Sequence, residues 1–170
     1  MADSPKRDTL IFICTANICR SPMAAALAAH ALSAEEPPLN QLKVDSAGVS
    51  AYSGEPVSPE SEEALKRVGI NLEAKRSRRL NQKMIERSLA IFGMTESHRH
   101  LVRATFELPH PHLYLMREFM DGSVDVEIPD PFGLNYQAYE AARDSMVEAI
   151  PSLLRAVRDI LDNPNQPLNV

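Results

Sequence analysis

Residues 9–22 read TLIFICTANICRSP and combine three structural signals in one short stretch. Residues 9–13 are a β-branched and aromatic run, which predicts a buried strand ending at Cys14. Ser21 and Pro22 are typical of an N-cap followed by proline at the first helical position, so the alanine-rich stretch after them is predicted to be a helix. A strand, a tight loop and a helix in this order indicate the first unit of an α/β sheet.

Strands and helices alternate along the rest of the chain. Further strands are predicted at 42–46, 89–94 and 112–116, and further helices at 58–68, 81–87, 96–106 and 136–161, with Ala47-Gly48 beginning a loop and Gly69 ending a helix. Pro151 either kinks the last helix or begins a second piece. The alternation implies right-handed crossovers. The predicted fold class is α/β, a single-domain three-layer sandwich with a four-stranded parallel sheet flanked by helices on both faces.

Three polar or nucleophilic residues fall at the carboxyl ends of the predicted strands. They are Cys14, Ser46 and Thr95. Ligands of open parallel sheets bind at this edge, so a functional site is expected there. The segment 117–134 is a long connection, and connections of that length are usually functional or disordered.

Composition and charge narrow the class of protein. The 170 residues are 44% hydrophobic and 24% charged, which predicts one globular domain over 1–170 with frayed termini at 1–7 and 163–170. The formal net charge of −5 gives no reason to expect nucleic acid as a partner. The polar start and the lack of a long apolar run predict no signal peptide and no membrane insertion. Two closely spaced cysteines fit a reducing compartment, so a cytoplasmic location is expected.

The loop 14–21 has the pattern C-x5-R-S between a strand and a helix. Backbone N–H groups in such a loop point into one concavity, and the helix N-terminus adds its positive end, which suits a phosphate dianion. The same environment favours a cysteine thiolate, so Cys14 is a candidate nucleophile. Arg20 can bind two phosphate oxygens with its planar guanidinium. Asn17 tolerates the left-handed backbone of a sharp turn.

These features resemble the low-molecular-weight protein tyrosine phosphatase family, which includes a protein-arginine phosphatase branch. The resemblance extends over most of the chain. It rests on the C-x5-R-S loop, Asp45-Ser46-Ala47-Gly48, Gly69-Ile70, Ser77-Arg78, Met94-Thr95-Glu96-Ser97 and Asp130-Pro131-Phe132, in the family's order and approximate spacing.

The resemblance implies hydrolysis of phosphotyrosine in proteins through a phosphocysteine intermediate. Cys14 would be the nucleophile, Arg20 the phosphate clamp and Asp130 the general acid and base. The other loop residues that would bind or support phosphate are Thr15, Ala16, Asn17, Ile18 and Cys19, with Ser21 donating to the thiolate and Ser46 supporting Asn17. The partners would be phosphorylated proteins, with no cofactor and no metal, and the chain would be a monomer or a weak dimer.

The sequence departs from the family pattern at several positions. Ala16 replaces the usual glycine, and Lys75 replaces a histidine that would support the loop. Phe132 is followed by glycine, where phosphotyrosine enzymes commonly have two tyrosines, so the predicted site has one aromatic wall. Tyr52 is a candidate for the opposite wall.

Substrate choice and redox chemistry each depend on one further loop residue. The related arginine phosphatases tend to carry threonine at the position of Ile18, so Ile18 favours the tyrosyl ester. Met94-Thr95 and 130–133 are closer to the arginine-phosphatase branch, which stays the alternative.

Cys19 is predicted to form a reversible disulfide with Cys14 after oxidation by peroxide, with a packing role as the alternative.

Other constellations carry less weight. Two histidine pairs, at 98 and 100 and at 110 and 112, lack carboxylates or cysteines at metal-ligand spacing and are interpreted as surface or core residues. The basic run 75–79 is interpreted as a solvated approach to a helix. An arsenate reductase would need cysteines beyond Cys19, and a non-catalytic phosphate-binding module would not need Asp130, so both are weaker candidates.

Overall fold

The predicted parallel sheet is confirmed in a computed structural model that describes residues 4–72, 74–122 and 124–170. Residues 1–3, which belong to the segment 1–7 that was predicted to fray, lie outside the described residues. The strands are β1 (Thr9–Cys14), β2 (Lys43–Gly48), β3 (Ser88–Gly93) and β4 (Leu113–Leu115). They are parallel and lie in the order β2-β1-β3-β4. β1 is thus flanked by a strand on each side, and its carboxyl end opens near the middle of the sheet edge.

Helices cover both faces of the sheet. They are α1 (Arg20–Ser33), α2 (Pro59–Lys66), α3 (Gln82–Arg87), α4 (Glu96–Thr105) and α5 (Tyr136–Asp162), and a short 3-10 turn spans Leu39–Gln41. The first, second and fifth helices pack on one face, whereas α3 and α4 pack on the other. The expected three-layer α/β sandwich is therefore present.

The alternation of side chains along β1 decides which layer Cys14 belongs to. Leu10, Phe12 and Cys14 point to the face covered by α1 and α5. Ile11 and Ile13 point to the other face, against α3 and α4. All five are at most 3% exposed, and full burial of a large aliphatic or aromatic side chain contributes about 1.5–3 kcal/mol. This burial fixes the register of β1 and places Cys14 beside the start of α1.

Two boundary predictions are wrong. Ala47 and Gly48 do not begin a loop but continue β2, because they pair in register with Ile13 and Cys14. The predicted helix 58–68 is also too long, and Val68 is 44% exposed. The helix ends at Lys66, so Val68 lies in the turn that follows. Gly69 closes that turn in the left-handed conformation, with φ of 82°.

Pro151 neither ends the last helix nor divides it. α5 runs from Tyr136 to Asp162 with the proline inside. A proline has no N–H, so the carbonyl of Val147 receives no helical hydrogen bond from it. Val147 itself is 45% exposed, so water can reach this side of α5.

The C-terminal tail, 163–170, was expected to fray but is anchored at two points. The Nε2 atom of His112 lies 2.8 Å from the carbonyl oxygen of Pro164. The N–H of Leu168 donates to the hydroxyl of Tyr114 at 2.9 Å. Both side chains come from β4 or the residue before it, so the tail covers the outer edge of the sheet.

Over the described part of the chain, none of the helices has both the length and the apolar character needed to cross a lipid bilayer.

A buried histidine beside β3 predicts how stability changes with pH. His110 lies with its Nε2 atom 2.8 Å from Ser88 Oγ and accepts the N–H of His112 at Nδ1. Burial lowers the pKa of His110 to about 4, from the ordinary 6.5. Between those two values the unfolded chain binds more protons than the folded one, so stability falls as the pH falls through this window. The contribution of His110 is about 2 kcal/mol between pH 7 and pH 5.

Urea unfolding of wild type and His110→Gln at both pH values measures this contribution. The variant should lose less stability than the wild type between pH 7 and pH 5. His100→Asn, on the exposed side of α4, serves as the control and should keep the wild-type dependence. Equal pH dependence in wild type and His110→Gln would contradict the assignment.

Candidate active site

The carboxyl end of β1 opens into a cavity of about 200 Å³. Its lining consists of Cys14, Thr15, Ala16, Ile18, Cys19, Arg20, Asp130 and Phe132. All of these residues were singled out in the sequence. The loop between β1 and α1 supplies six of them, and the connection before α5 supplies the other two. A larger open depression, of about 880 Å³, lies beside the C-terminal tail and contains none of the predicted site residues.

The sulfur of Cys14 lies at the floor of this cavity among hydrogen-bond donors. The backbone N–H of Asn17 donates to Cys14 Sγ at 3.3 Å, and Ser21 Oγ lies 3.0 Å from it. The residue is only 3% exposed, yet it lines the cavity and does not point into the apolar core alone. Donors directed at sulfur stabilise the thiolate more than the thiol.

Asn17 holds the loop in its curled shape. It is the only non-glycine residue with positive φ among the described residues, at 60°. Its Nδ2 group donates to Ser21 Oγ at 2.8 Å and to Ser46 Oγ at 3.0 Å. Its Oδ1 accepts the N–H of Arg78 at 3.0 Å. The side chain therefore connects the loop to α1, to β2 and to the segment that pairs beside β2.

Ser21 is not the N-cap of α1, contrary to the sequence prediction. The helix begins two residues earlier than predicted, at Arg20, and its N-cap is Cys19, whose side chain makes no capping bond. The hydroxyl of Ser21 is instead engaged by Asn17 and by the sulfur of Cys14. The Ser21 hydroxyl, which the local sequence assigns to a helix cap, is therefore part of the hydrogen-bond network of the loop.

A close backbone approach accounts for Gly48. A Cβ atom at this position would lie 2.5 Å from the carbonyl oxygen of Thr15 and 3.0 Å from the carbonyl carbon of Ala16. The loop therefore needs glycine at the end of β2, where it passes directly over the strand. Ala16 itself has no positive φ, so the alanine that replaces the family's glycine fits the loop without strain.

Arg20 is buried and directed by two groups. One terminal nitrogen donates to the carbonyl of Ile128 at 2.9 Å, and the other lies 3.5 Å from Asp130 Oδ2. Within the described part of the chain its Nε–H has no acceptor. An arginine that is 4% exposed and has a free donor beside the cavity is suited to bind an anion there.

Asp130 enters the site from the long connection between β4 and α5. The backbone of that connection is tied to the residue that follows β3, because the N–H of Ile128 donates to the carbonyl of Met94 at 2.9 Å. Asp130 Oδ1 accepts the N–H of Phe132 at 3.1 Å, and its side chain is 51% exposed. The carboxylate is therefore oriented from both sides while it still reaches solvent at the mouth of the cavity.

The walls of the cavity differ from those expected. Phe132 and Ile18 line it, and Phe132 is 63% exposed, so its ring can contact a substrate. Tyr52 does not line the cavity and is 82% exposed. Its loop is fixed elsewhere, since Ser77 Oγ donates to the carbonyl of Tyr52. Tyr52 therefore does not form the opposite wall in this structure.

Cys14 and Cys19 are both free thiols. Cys19 Sγ lies 3.8 Å from the hydroxyl of Tyr139 on α5. Burial raises the pKa of Cys19, and burial together with the contact to Cys19 raises the pKa of Tyr139 to about 12. A disulfide between the two cysteines remains a prediction.

Sequence reasoning missed several residues that support the loop. The N–H of Ser58 donates to the carbonyl of Ile18 at 2.8 Å, so the start of α2 binds the loop as well as capping its own helix. His98 Nε2 lies 3.0 Å from Thr15 Oγ1. The Ser-Pro helix start and the position of His98 in the first turn of α4 were visible as signals, but nothing local linked them to residue 14.

The basic run 75–79 is a solvated approach to a helix, as interpreted from the sequence, because its four basic residues are exposed and it precedes α3, whose N-cap is Asn81. It is extended, with Arg76 bridged to Pro56 and Arg79 bridged to Gly48. The free edge of β2 offers unpaired backbone groups, and this segment satisfies some of them. Arg78 is held there by Asp45 and by the carbonyl of Ser46 at 3.2 Å.

Comparison with known proteins agrees with this geometry. The family model described as low molecular weight phosphotyrosine protein phosphatase matches residues 9–162. A protein-arginine-phosphatase of Geobacillus stearothermophilus is 35% identical, over 85% of this chain and 92% of that protein. A low molecular weight protein-tyrosine-phosphatase of Streptomyces coelicolor is 31% identical, over 87% and 92%.

A crystal structure of a low molecular weight protein tyrosine phosphatase from T. tengcongensis has a TM-score of 0.78 and 26% identity, covering 87% of this chain and 98% of that one. The fold and the site therefore define a phosphatase of the α/β class. The chain belongs to the low-molecular-weight phosphotyrosine protein phosphatase family, a family of hydrolases.

The network around Asn17 generates a testable prediction. Asn17→Gly keeps the left-handed backbone accessible and removes only the side-chain hydrogen bonds, whereas Asn17→Ala also strains the backbone by about 1 kcal/mol or more. Both variants should lower kcat/KM on p-nitrophenyl phosphate, by about 10-fold or more, and Asn17→Ala should also unfold at a lower temperature than Asn17→Gly.

Thermal unfolding and steady-state kinetics of the two variants provide the comparison. Wild-type kcat/KM in Asn17→Gly would show that the side chain does not hold the loop in its active shape.

Proposed function

We propose that this chain hydrolyses phosphotyrosine in proteins, with Cys14 as the nucleophile. The observation that carries the proposal is the convergence of Cys14, Arg20 and Asp130 on one 200 Å³ cavity, although the acid comes from a segment over a hundred residues away. A sulfur among donors, a buried guanidinium and a partly exposed carboxylate together supply the groups that a two-step phosphoryl transfer needs.

In the first step the thiolate of Cys14 attacks phosphorus opposite the leaving oxygen. The S–P bond forms as the P–O bond breaks, and protonated Asp130 donates its proton to the tyrosyl oxygen. The loop N–H groups and the N-terminus of α1 bind the phosphoryl oxygens, and the dipole of α1 adds positive potential there. Arg20 binds two of these oxygens as their charge increases in the transition state.

In the second step water hydrolyses the phosphocysteine. The Asp130 carboxylate removes a proton from the water while the new P–O bond forms, and the Cys14 sulfur leaves as a thiolate stabilised by Asn17 and Ser21. Inorganic phosphate and a protonated Asp130 result, so the enzyme is ready for another cycle without any cofactor.

The ion pair between Arg20 and Asp130 links substrate binding to acid catalysis. Asp130 Oδ2 lies 3.5 Å from a terminal nitrogen of Arg20. A phosphate dianion competes for the guanidinium and places its own negative charge near the carboxylate. That repulsion favours the protonated carboxyl group, which is the form that the first step requires.

A protein-arginine phosphatase is the second candidate. A relative with 35% identity is named as such, whereas another with 31% identity is named a tyrosine phosphatase. Ile18 favours a phosphotyrosine ester, because its apolar side chain lines the same cavity as Phe132, where a tyrosyl ring would lie. The guanidinium of a phosphoarginine substrate at this position would be stabilised more by a polar side chain than by the apolar Ile18.

The proposed setting is a reducing, cytoplasmic one, since the Cys14 sulfur must remain reduced between turnovers. The proposed partners are phosphorylated proteins, bound one side chain at a time by a cavity that takes a single phosphorylated residue. No part of the mechanism needs a second copy of the chain.

The role of Asp130 is testable through the leaving group. Asp130→Asn should lower kcat/KM about 10²- to 10⁴-fold on a phosphotyrosine peptide, whose leaving oxygen needs a proton. The loss should be smaller on p-nitrophenyl phosphate, whose leaving group departs as an anion. Cys14→Ser should abolish turnover on both substrates and still bind inorganic phosphate in calorimetry.

The two substrates provide the internal control for this experiment. Equal losses of kcat/KM on the peptide and on p-nitrophenyl phosphate would remove Asp130 from the acid role. Residual turnover by Cys14→Ser would remove Cys14 from the nucleophilic role.

Specificity is testable at Ile18. The wild type should show a higher kcat/KM on a phosphotyrosine peptide than on a phosphoarginine peptide of matched sequence. Ile18→Thr should shift the ratio of the two values toward phosphoarginine by about 10-fold, the effect of about 1.4 kcal/mol in relative transition-state binding. Ile18→Val, which shortens the side chain but keeps it apolar, is the control and should leave the ratio near that of the wild type.

A wild-type preference for the phosphoarginine peptide would favour the second candidate. A ratio that is identical in all three proteins would show that residue 18 does not select the substrate.

A further inference from the structure

His98 is a buried histidine next to the cavity that the mechanism above does not use. It lies in the first turn of α4 and is 2% exposed. Gly93, at the end of β3, allows its close approach, since a Cβ there would lie 3.2 Å from His98 Cβ. The charges of Arg20 and Asp130 both act on its pKa, which shows how near it lies to the phosphate site.

The hydrogen bonds of His98 define its tautomer. Its Nδ1 atom accepts the N–H of Met94 at 3.3 Å and the N–H of Thr95 at 3.2 Å. The hydroxyl of Thr95 also lies 3.3 Å from the same nitrogen. Because backbone N–H groups only donate, Nδ1 carries no proton, and the ring hydrogen is on Nε2. Burial lowers the pKa of His98 to about 4, in agreement with a neutral ring at neutral pH.

The Nε2–H group donates to Thr15, the residue that follows Cys14. His98 Nε2 lies 3.0 Å from Thr15 Oγ1. The threonine oxygen is therefore an acceptor on the His98 side, and its own hydrogen points away from the ring. Thr15 is exposed and lines the cavity, and within the described residues its hydroxyl has no hydrogen-bond partner besides His98, so its hydrogen is available to a group in the cavity.

We propose that His98 is a positioning residue that orients the Thr15 hydroxyl as a hydrogen-bond donor to a phosphoryl oxygen. The inference rests on the proposed function, since it assigns a further ligand to the same phosphate. The main-chain donors and Arg20 hold the phosphate from the loop and from α1, and Thr15 adds a donor from the side of β3. The histidine contributes by removing the rotational freedom of that hydroxyl before substrate arrives.

Binding of inorganic phosphate, measured by calorimetry, tests the inference without turnover. Thr15→Val removes the hydroxyl at nearly constant shape and should weaken phosphate binding about 10-fold, the effect of one hydrogen bond to a charged acceptor. Thr15→Ser retains the hydroxyl and should recover most of that loss. His98→Ala should weaken binding about 3- to 5-fold, whereas His98→Gln, which can place an amide N–H near the Nε2 position, should recover most of the affinity.

The double variant separates positioning from a general structural effect. If His98 acts through Thr15, His98→Ala should change phosphate binding less than 2-fold in the Thr15→Val background. If it only supports the fold, the 3- to 5-fold loss should persist there. Thermal unfolding of all variants identifies any that do not fold, and the Thr15→Val and His98→Gln proteins test the inference even if His98→Ala fails to fold.

Nitrogen NMR of the wild type provides a second readout. It should show His98 as the neutral tautomer protonated at Nε2 at pH 7. A proton on Nδ1, or equal phosphate affinity in wild type and Thr15→Val, would overturn the inference while leaving the phosphatase proposal intact. Absence of phosphate binding by the wild type would contradict the proposed function itself.

Discussion

The left-handed backbone of Asn17 is the constraint on which the site depends. A φ of 60° turns the chain so that the N–H of this residue points back at Cys14 Sγ. An L-residue rarely adopts this conformation without support, and here the support comes from the asparagine side chain, which bonds Ser21, Ser46 and the backbone of Arg78. One residue therefore couples the shape of the anion site to α1, β2 and the segment beside β2. Loss of any of these neighbours would relax the loop around the sulfur.

The potential in the cavity is locally positive although the protein as a whole is negatively charged. The chain carries a formal charge of −5, yet the site collects backbone donors, a helix N-terminus and one buried guanidinium. Burial of Arg20 is tolerated because Ile128 and Asp130 satisfy two of its nitrogens. The same contacts bring the long connection to the loop 14–21, so one charged side chain brings together Cys14 and Asp130, the proposed nucleophile and the proposed acid. A phosphate entering this site meets local positive potential that the net charge does not reveal.

Several parts of this arrangement follow from sequence alone. The apolar run at 9–13, the alternation of strands and helices, and the C-x5-R-S spacing predicted the parallel sheet and the loop at its edge. Local patterns failed where a tertiary contact competed with a local one. Ser21 looks like an N-cap, but Asn17 and Cys14 occupy its hydroxyl. The basic residues of 75–79 are solvated as expected, but no local pattern showed that Arg79 pairs with Gly48 at the edge of β2. Tyr52 looks like a substrate wall, but its loop is tied to Ser77.

The sequence by itself determined the fold class, the family resemblance and the identity of the loop residues, because these depend on hydrophobic period and on spacing within short segments. Only the tertiary structure decided that Asp130 faces Arg20, that Arg78 donates to Asn17, and that His98 bonds Thr15. Those partners are separated by 61 to 110 residues along the chain, counted from their residue numbers. Their meeting depends on strand order and helix packing, which place the carboxyl ends of β1 and β3 side by side, and no local pattern encodes that distance.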